Sequence, residues 1–255
     1  MNQKDLKEYL DFKSNQYECP SFIENDPIQI PHRYTKKEDI EIAAFFMASL
    51  AWGNRVSILK SGDRLMELFG DAPYDFIIDY DRPKHLSFVH RTFNGIDLNF
   101  FCRSLKNLYQ NKEGLEGAFS NVDEKEIGLK MRIANFRSVF LDTTHEQRSE
   151  KHISNPMKNS ACKRLVMFLR WMVRSNEKGV DFGLWENISK SELYVPLDVH
   201  TGNIARNLGI LKRKQNDWKT NEELIYKLRK LDAEDPAKYD FALFGIGVNK
   251  ELQFK

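Results

Sequence analysis

Cysteine is scarce in this sequence: Cys19, Cys102 and Cys162 are odd in number and far apart. That argues against a disulfide framework and fits a reducing cytoplasm. Net charge is almost absent as well. The balance is +2, from 39 basic and 37 acidic residues, so any attraction to nucleic acid has to come from local clusters. The longest near-apolar stretch, Ile42 to Trp52, is too short to cross a bilayer, so no membrane partner is expected. The opening MNQKDLKEYL is polar and charged, which reads against a secretory signal. Internal repeats and low-complexity segments are missing. So are a Walker A loop, a dinucleotide fingerprint, a serine-hydrolase elbow, CxxC and HExxH. His145 and His152 fall in a connector without further ligands, so no metal and no cofactor are expected. Alternation of apolar and polar residues does not recur often enough to build a sheet.

What is present is a 255-residue chain, 41% hydrophobic and 30% charged, able to bury a sizeable core and remain soluble. Its apolar periodicity is helical. Residues 1–13 read as a short amphipathic helix, and the prolines at 20, 27 and 31 mark an extended loop. Thr35 with Glu38 suggests a capping box before a helix ending at Gly53, and Asn54 to Phe69 gives the next helix. His85 to Asn94 reads as a strand or loop. Asp97 is expected to cap a helix to Tyr109, and Asp123 to Phe140 is expected to form another, with Ile127 on its apolar side. Thr220 with Glu223 suggests a second capping box, and Asp235-Pro236 starts a last helix. The fold class is all-α.

Ser154 to Gly209 carries the chemistry. SNPMKNSACKRLVMFLRWMVR offers a helix start at Asn155-Pro156 or Ser160, followed by the apolar series Ala161, Leu165, Phe168, Leu169, Met172. Lys163 and Arg164 fall in its first turn, where cations oppose the helix dipole at ~0.3–1 kcal/mol each. Lys163, Met167, Arg170 and Arg174 recur on what reads as the face opposite the apolar one. Such a stripe is usually a solvated face; with Lys151, His152, Lys158 and Arg164 it also concentrates positive charge. Arg206, Lys212, Arg213 and Lys214 form a second cluster. Downstream, LYVPLDVHTGNIARNLG places Asp198 as the N-cap of a helix stopped by Gly209. Taken singly, Lys163 is more simply a surface cation and Asp198 a cap.

As a pair, in this order, they resemble the core of the helix-hairpin-helix DNA glycosylases, above all the bifunctional 8-oxoguanine glycosylase/AP lyases. KRLVMFLRWM looks like the lysine helix and VPLDVHTGNIARNLG like the aspartate segment. Across Ile40 to Val248 the chain also resembles a bacterial family that is a distant branch of that superfamily. FFMASLAWGNRVSILKSGDRLMELFG is similar to its first helix pair. Two departures stand out. NPMKNSACK replaces the usual Leu-Pro-Gly-x-Gly hairpin, and 35 residues separate Lys163 from Asp198. Three cysteines also exclude the four-cysteine iron–sulfur loop of some branches.

The resemblance implies two helical lobes, one of roughly 1–53 with 166–255 and the other of 54–165, with a cleft between them. It implies an enzyme that extrudes a damaged base, such as 8-oxoguanine, from double-stranded DNA. Lys163 would attack the sugar and pass through a Schiff base, while Asp198 stays ionised. Lys158, Asn159, Arg164, Arg170 and Arg174 would contact DNA. The expected protein is a cytoplasmic monomer. Trp52, Phe93, Trp171, Trp185 and Phe254 are candidates for stacking on the base, each more simply read as core. The C-terminal Lys255 matches a base-contacting lysine of the archaeal branch. Two readings of other classes compete: a catalytically silent nucleic-acid-binding helical module, and a helical interaction protein that binds no nucleic acid.

Overall fold

A computed structural model describes residues 2–81, 86–123 and 128–251 and is mostly helical. Ile127, Phe254 and Lys255 lie outside the described residues, as does His85. The chain divides into two compact units, Met1–Glu24 with Pro156–Lys255, and Asn25–Asn155. These limits differ from the expected lobes at both boundaries. The helix through Ile42–Leu50 falls in the middle unit, and Lys163 falls in the same unit as Asp198.

The middle unit is built around α2 (Lys37–Leu50), which packs against α3 (Arg55–Leu68) and α4 (Pro73–Ile78). Every α2 residue from Ile40 to Leu50 is buried, so its apolar surface runs all round rather than along a stripe. Phe45 and Phe46 meet Phe101, and Phe45 meets Phe136 and Phe140, with ring centroids 5.5–6.0 Å apart. Each such ring contributes about 1.5–3 kcal/mol by burial. α5 (Gly95–Asn111), α6 (Gly114–Ser120) and α7 (Leu129–Leu141) complete the unit. Among the described residues the only strands are β1 (Val89–His90) and β2 (Phe93–Asn94), an antiparallel pair.

Asp97 is not the cap of α5. Asn94 holds that position, and Asp97, three residues on, closes the capping box through the Asn94 N–H. Asp97 is fully buried and also accepts from Ser149 Oγ at 2.6 Å and Arg148 Nη1 at 2.9 Å. Burial alone would raise its pKa. The His152 and Ser149 side chains and the Asn94 N–H outweigh that and bring it down to about 2.

The other unit contains α1 (Gln3–Tyr17), α8 (Lys163–Val173), α9 (Val199–Asn207), α10 (Trp218–Arg229) and α11 (Tyr239–Val248). α11 lies against α1 and α9. Its glycines permit the close approach: a Cβ on Gly245 would fall 2.1 Å from Cδ2 of Tyr17. Both expected capping boxes are corrected. α2 starts at Lys37 with Lys36 at the cap and no side-chain cap bond, so Thr35 stands one residue too early. α10 starts three residues before Asn221, because Asp217 caps it by accepting from the Thr220 N–H. Among the described residues no helix is long and apolar enough to cross a membrane.

Candidate active site

α8 begins at Lys163, later than either proposed start. Pro156–Lys158 forms one short 3-10 turn, and Cys162, at the cap position, is left-handed with φ of 48° and makes no side-chain cap bond. Asp198 caps α9 as expected, and its Oδ1 accepts from the Thr201 N–H at 2.9 Å. Gly209, at φ of 73°, follows the last turn of that helix. The two helix starts meet: Lys163 Nζ lies 3.0 Å from Asp198 Oδ2, with the lysine side chain 36% exposed and the carboxylate 17%.

Asp198 is thus held at three points. Beyond Thr201 and Lys163, its backbone C=O accepts from Asn216 Nδ2 at 2.9 Å, and Arg206 Nη2 in turn donates to Asn216 Oδ1 at 2.6 Å. Gly202 leaves room for that amide, since a Cβ there would lie 2.6 Å from Asn216 Oδ1. Burial pushes the Asp198 carboxyl upward. The Lys163 charge, the Thr201 N–H and the direct bond to Lys163 outweigh burial, so the group sits below the usual carboxylate range and is ionised at neutral pH. Its position at a helix N-terminus agrees with that state.

Arg170 and Arg174 overturn the reading of a basic stripe. They are 3% and 5% exposed, and the face they occupy is interior. Arg170 pairs with Asp240 through Nη1, and its Nε lies 3.3 Å from Asp181. Arg174 reaches Glu18 and Asp181 at 2.6 Å and Asp235 at 2.9 Å. With their guanidinium groups buried and taken up by carboxylates, neither can grip a phosphate. Among the other expected DNA contacts, Lys158 and Asn159 are exposed and Arg164 is half-buried. Asn159 Nδ2 is engaged, donating to Asp217 Oδ2 at 2.9 Å. Phe93, Trp171 and Trp185 are buried as core, while Trp52 is half-buried beneath Arg91, whose guanidinium is 4.7 Å from the ring centroid.

Sequence reasoning missed Asn216 and Asp240. Asp240 is 6% exposed in the first turn of α11, and burial pushes it up to about 6 against the pull of Arg170. The charges of Asp198 and Lys163 both reach it, with opposite effects. A lone acid inside the apolar run AKYDFALFG was the available signal for Asp240; Asn216 carried none. Among the described residues no group of three or more His, Cys, Asp or Glu side chains could hold a metal.

No curated protein and no solved structure matches the chain. The chain does belong to the family described as "Protein of unknown function (DUF2400)", which matches residues 26–249.

Proposed function

We propose that the protein is a DNA base-excision glycosylase with AP lyase activity, of the helix-hairpin-helix kind, acting through Lys163 and Asp198. The observation that carries the reading is the 3.0 Å approach of a half-exposed amine to an ionised, capped carboxylate at the meeting of two helix starts. The substrate is double-stranded DNA bearing a damaged base, with 8-oxoguanine the first to test. The protein acts as a cytoplasmic monomer.

Attack requires the amine uncharged. The amine gives its proton to solvent before attack, and Asp198, with Oδ2 3.0 Å from Nζ, keeps its charge. Nζ then bonds to the sugar C1′ as the base leaves with the electron pair of the glycosidic bond. Opening of the sugar ring gives the Schiff base, and loss of a C2′ proton expels the 3′ phosphate. Asp198, ionised, stabilises the cationic sugar in the transition state.

A catalytically silent nucleic-acid-binding module is the second reading. The same ion pair favours it, because an ammonium held by a carboxylate is inert as a nucleophile. Borohydride reduction in the presence of lesion-bearing duplexes separates the two. The glycosylase reading expects a covalent adduct with the wild type and none with Lys163→Gln, which still binds. Binding without an adduct, across a panel of lesions, leaves the silent module. An undiminished adduct with Lys163→Gln moves the nucleophile to another amine, Lys158 first.

A further inference from the structure

The burial of Arg170 and Arg174 leaves open where a phosphate backbone would run. Lys158, Lys212, Lys214 and Lys219 are exposed in the same unit as Lys163, and among the described residues none of their ammonium groups has an ion-pair partner. They come from two segments that the backbone joins. Ser160 and Asp217 form an isolated antiparallel bridge, and the Trp218 N–H donates to the Asn159 C=O at 3.1 Å. Lys158 and Lys219 adjoin this Asn159–Trp218 contact, one from each segment. Asn159, left-handed at φ of 62°, closes the joint: its Nδ2 donates to Asp217, and its Oδ1 accepts from the Lys219 N–H at 3.3 Å.

The arginines of the second basic cluster are structural. Arg206 donates to the carbonyls of Arg213 and Gln215, and Arg213 donates to Thr220 Oγ1 and Asp217 Oδ2. They shape the loop and leave its lysines at the surface. Gathering like charges on one edge opposes folding, and among the described residues no ion pair of these ammonium groups offsets it. A polyanion reverses that sign. The loop also carries Asn216, which holds the Asp198 carbonyl, so the edge adjoins the candidate site directly.

We infer that Lys158, Lys212, Lys214 and Lys219 form an edge that takes the phosphate backbone of double-stranded DNA without reading its sequence. The inference rests on the reading of Lys163 and Asp198 as a DNA site. It assigns the grip to two stapled segments instead of to α8.

The test measures binding of the full chain to an undamaged duplex of mixed sequence, by anisotropy, from ~50 to ~200 mM salt. The variants are Lys158→Ala and the triple Lys212→Ala, Lys214→Ala, Lys219→Ala. Lys190→Ala serves as a control for net charge, being exposed elsewhere in the unit. The expected result is weaker binding and a log–log salt slope shallower by about 0.9 for each lost phosphate contact, with the control unchanged. A slope unchanged in the triple variant, or reduced equally per charge in Lys190→Ala, overturns the edge, as does a wild type that binds no duplex. Borohydride trapping keeps the two readings apart. A wild type that traps lesion DNA while the variants keep its slope loses the edge alone. A lysine-dependent slope without any trap keeps the edge and loses the chemistry.

Discussion

Helix α8 and its C-cap, Arg174, hold cations in two environments. Lys163 at its start faces a single carboxylate with a third of its side chain in solvent, whereas Arg170 and Arg174 near its end are buried among Asp181, Asp240, Glu18 and Asp235. The two surroundings have opposite uses. A guanidinium that is desolvated and shared by several carboxylates cannot leave them without a large penalty, so it fixes the scaffold. A half-exposed ammonium with one partner can exchange it for a substrate.

The largest effect should come from breaking the buried side of this comparison. Arg174→Ala strands Glu18, Asp181 and Asp235 without their shared cation and is expected to cost about 3–5 kcal/mol in urea unfolding. Lys163→Gln, on the same helix, should cost less than about 1 kcal/mol, as exposed pairs do. Equal costs would erase the distinction between the two ends.

The next effect is chemical and sharpens the exposed side. Asp198→Asn keeps an oxygen for the Thr201 N–H, and Asn caps helices nearly as well as Asp, so stability should change by no more than about 1 kcal/mol. Adduct formation in the borohydride assay should fall by about 10²–10³, the usual scale for losing one preorganised electrostatic group. Full activity in a stably folded Asp198→Asn would leave that residue only its cap.

Local physics made α9 legible from sequence and hid the surroundings of α8. An Asp before an apolar-periodic run and a Gly after it are short-range signals, and Asp198 and Gly209 take those places. The start of α3 after its cap, Asn54, was readable for the same reason, whereas α2 ends at Leu50, short of the expected Gly53. The fate of Arg170 and Arg174 was not, because apart from Asp181 their partners are distant: Glu18 is 156 residues from Arg174, and Asp240 is 70 from Arg170. A seven-residue spacing says which side chains share a face, but not whether that face meets water or acid. The capping boxes failed more locally. Thr220 had a competitor, Asp217, which captured its N–H and its hydroxyl together. At α5 the box exists, but in the form Asn94 with Asp97, which a search for Ser or Thr followed by Glu or Gln passes over.

The smallest effect separates two carboxyls of the same neighbourhood by the sign of their pH dependence. Asp198 lies below its ordinary value in the folded protein. The unfolded chain therefore takes up its proton first on acidification. The stability Asp198 contributes is complete above the unfolded value near ~3.9 and is lost as pH falls through the folded one. Asp240 is the reverse. Burial raises it to about 6, so between pH ~4 and ~6 the folded protein holds the extra proton, and stability declines as pH rises through that window. Arg170 presses on Asp240 from α8, with Asp198 and Lys163 acting at longer range. His90, which burial lowers, contributes a slope of the opposite sign below the ordinary histidine value of ~6.5, so the readout is the difference between wild type and Asp240→Asn. An Asn retains an acceptor for Arg170 but has no proton to lose. Urea unfolding at several pH values should show the wild type losing stability relative to Asp240→Asn as pH rises from ~4 to ~6, then running parallel to it. A constant difference across that range would mean that Asp240 is ionised throughout, with Arg170 holding its charge as firmly as Lys163 holds that of Asp198.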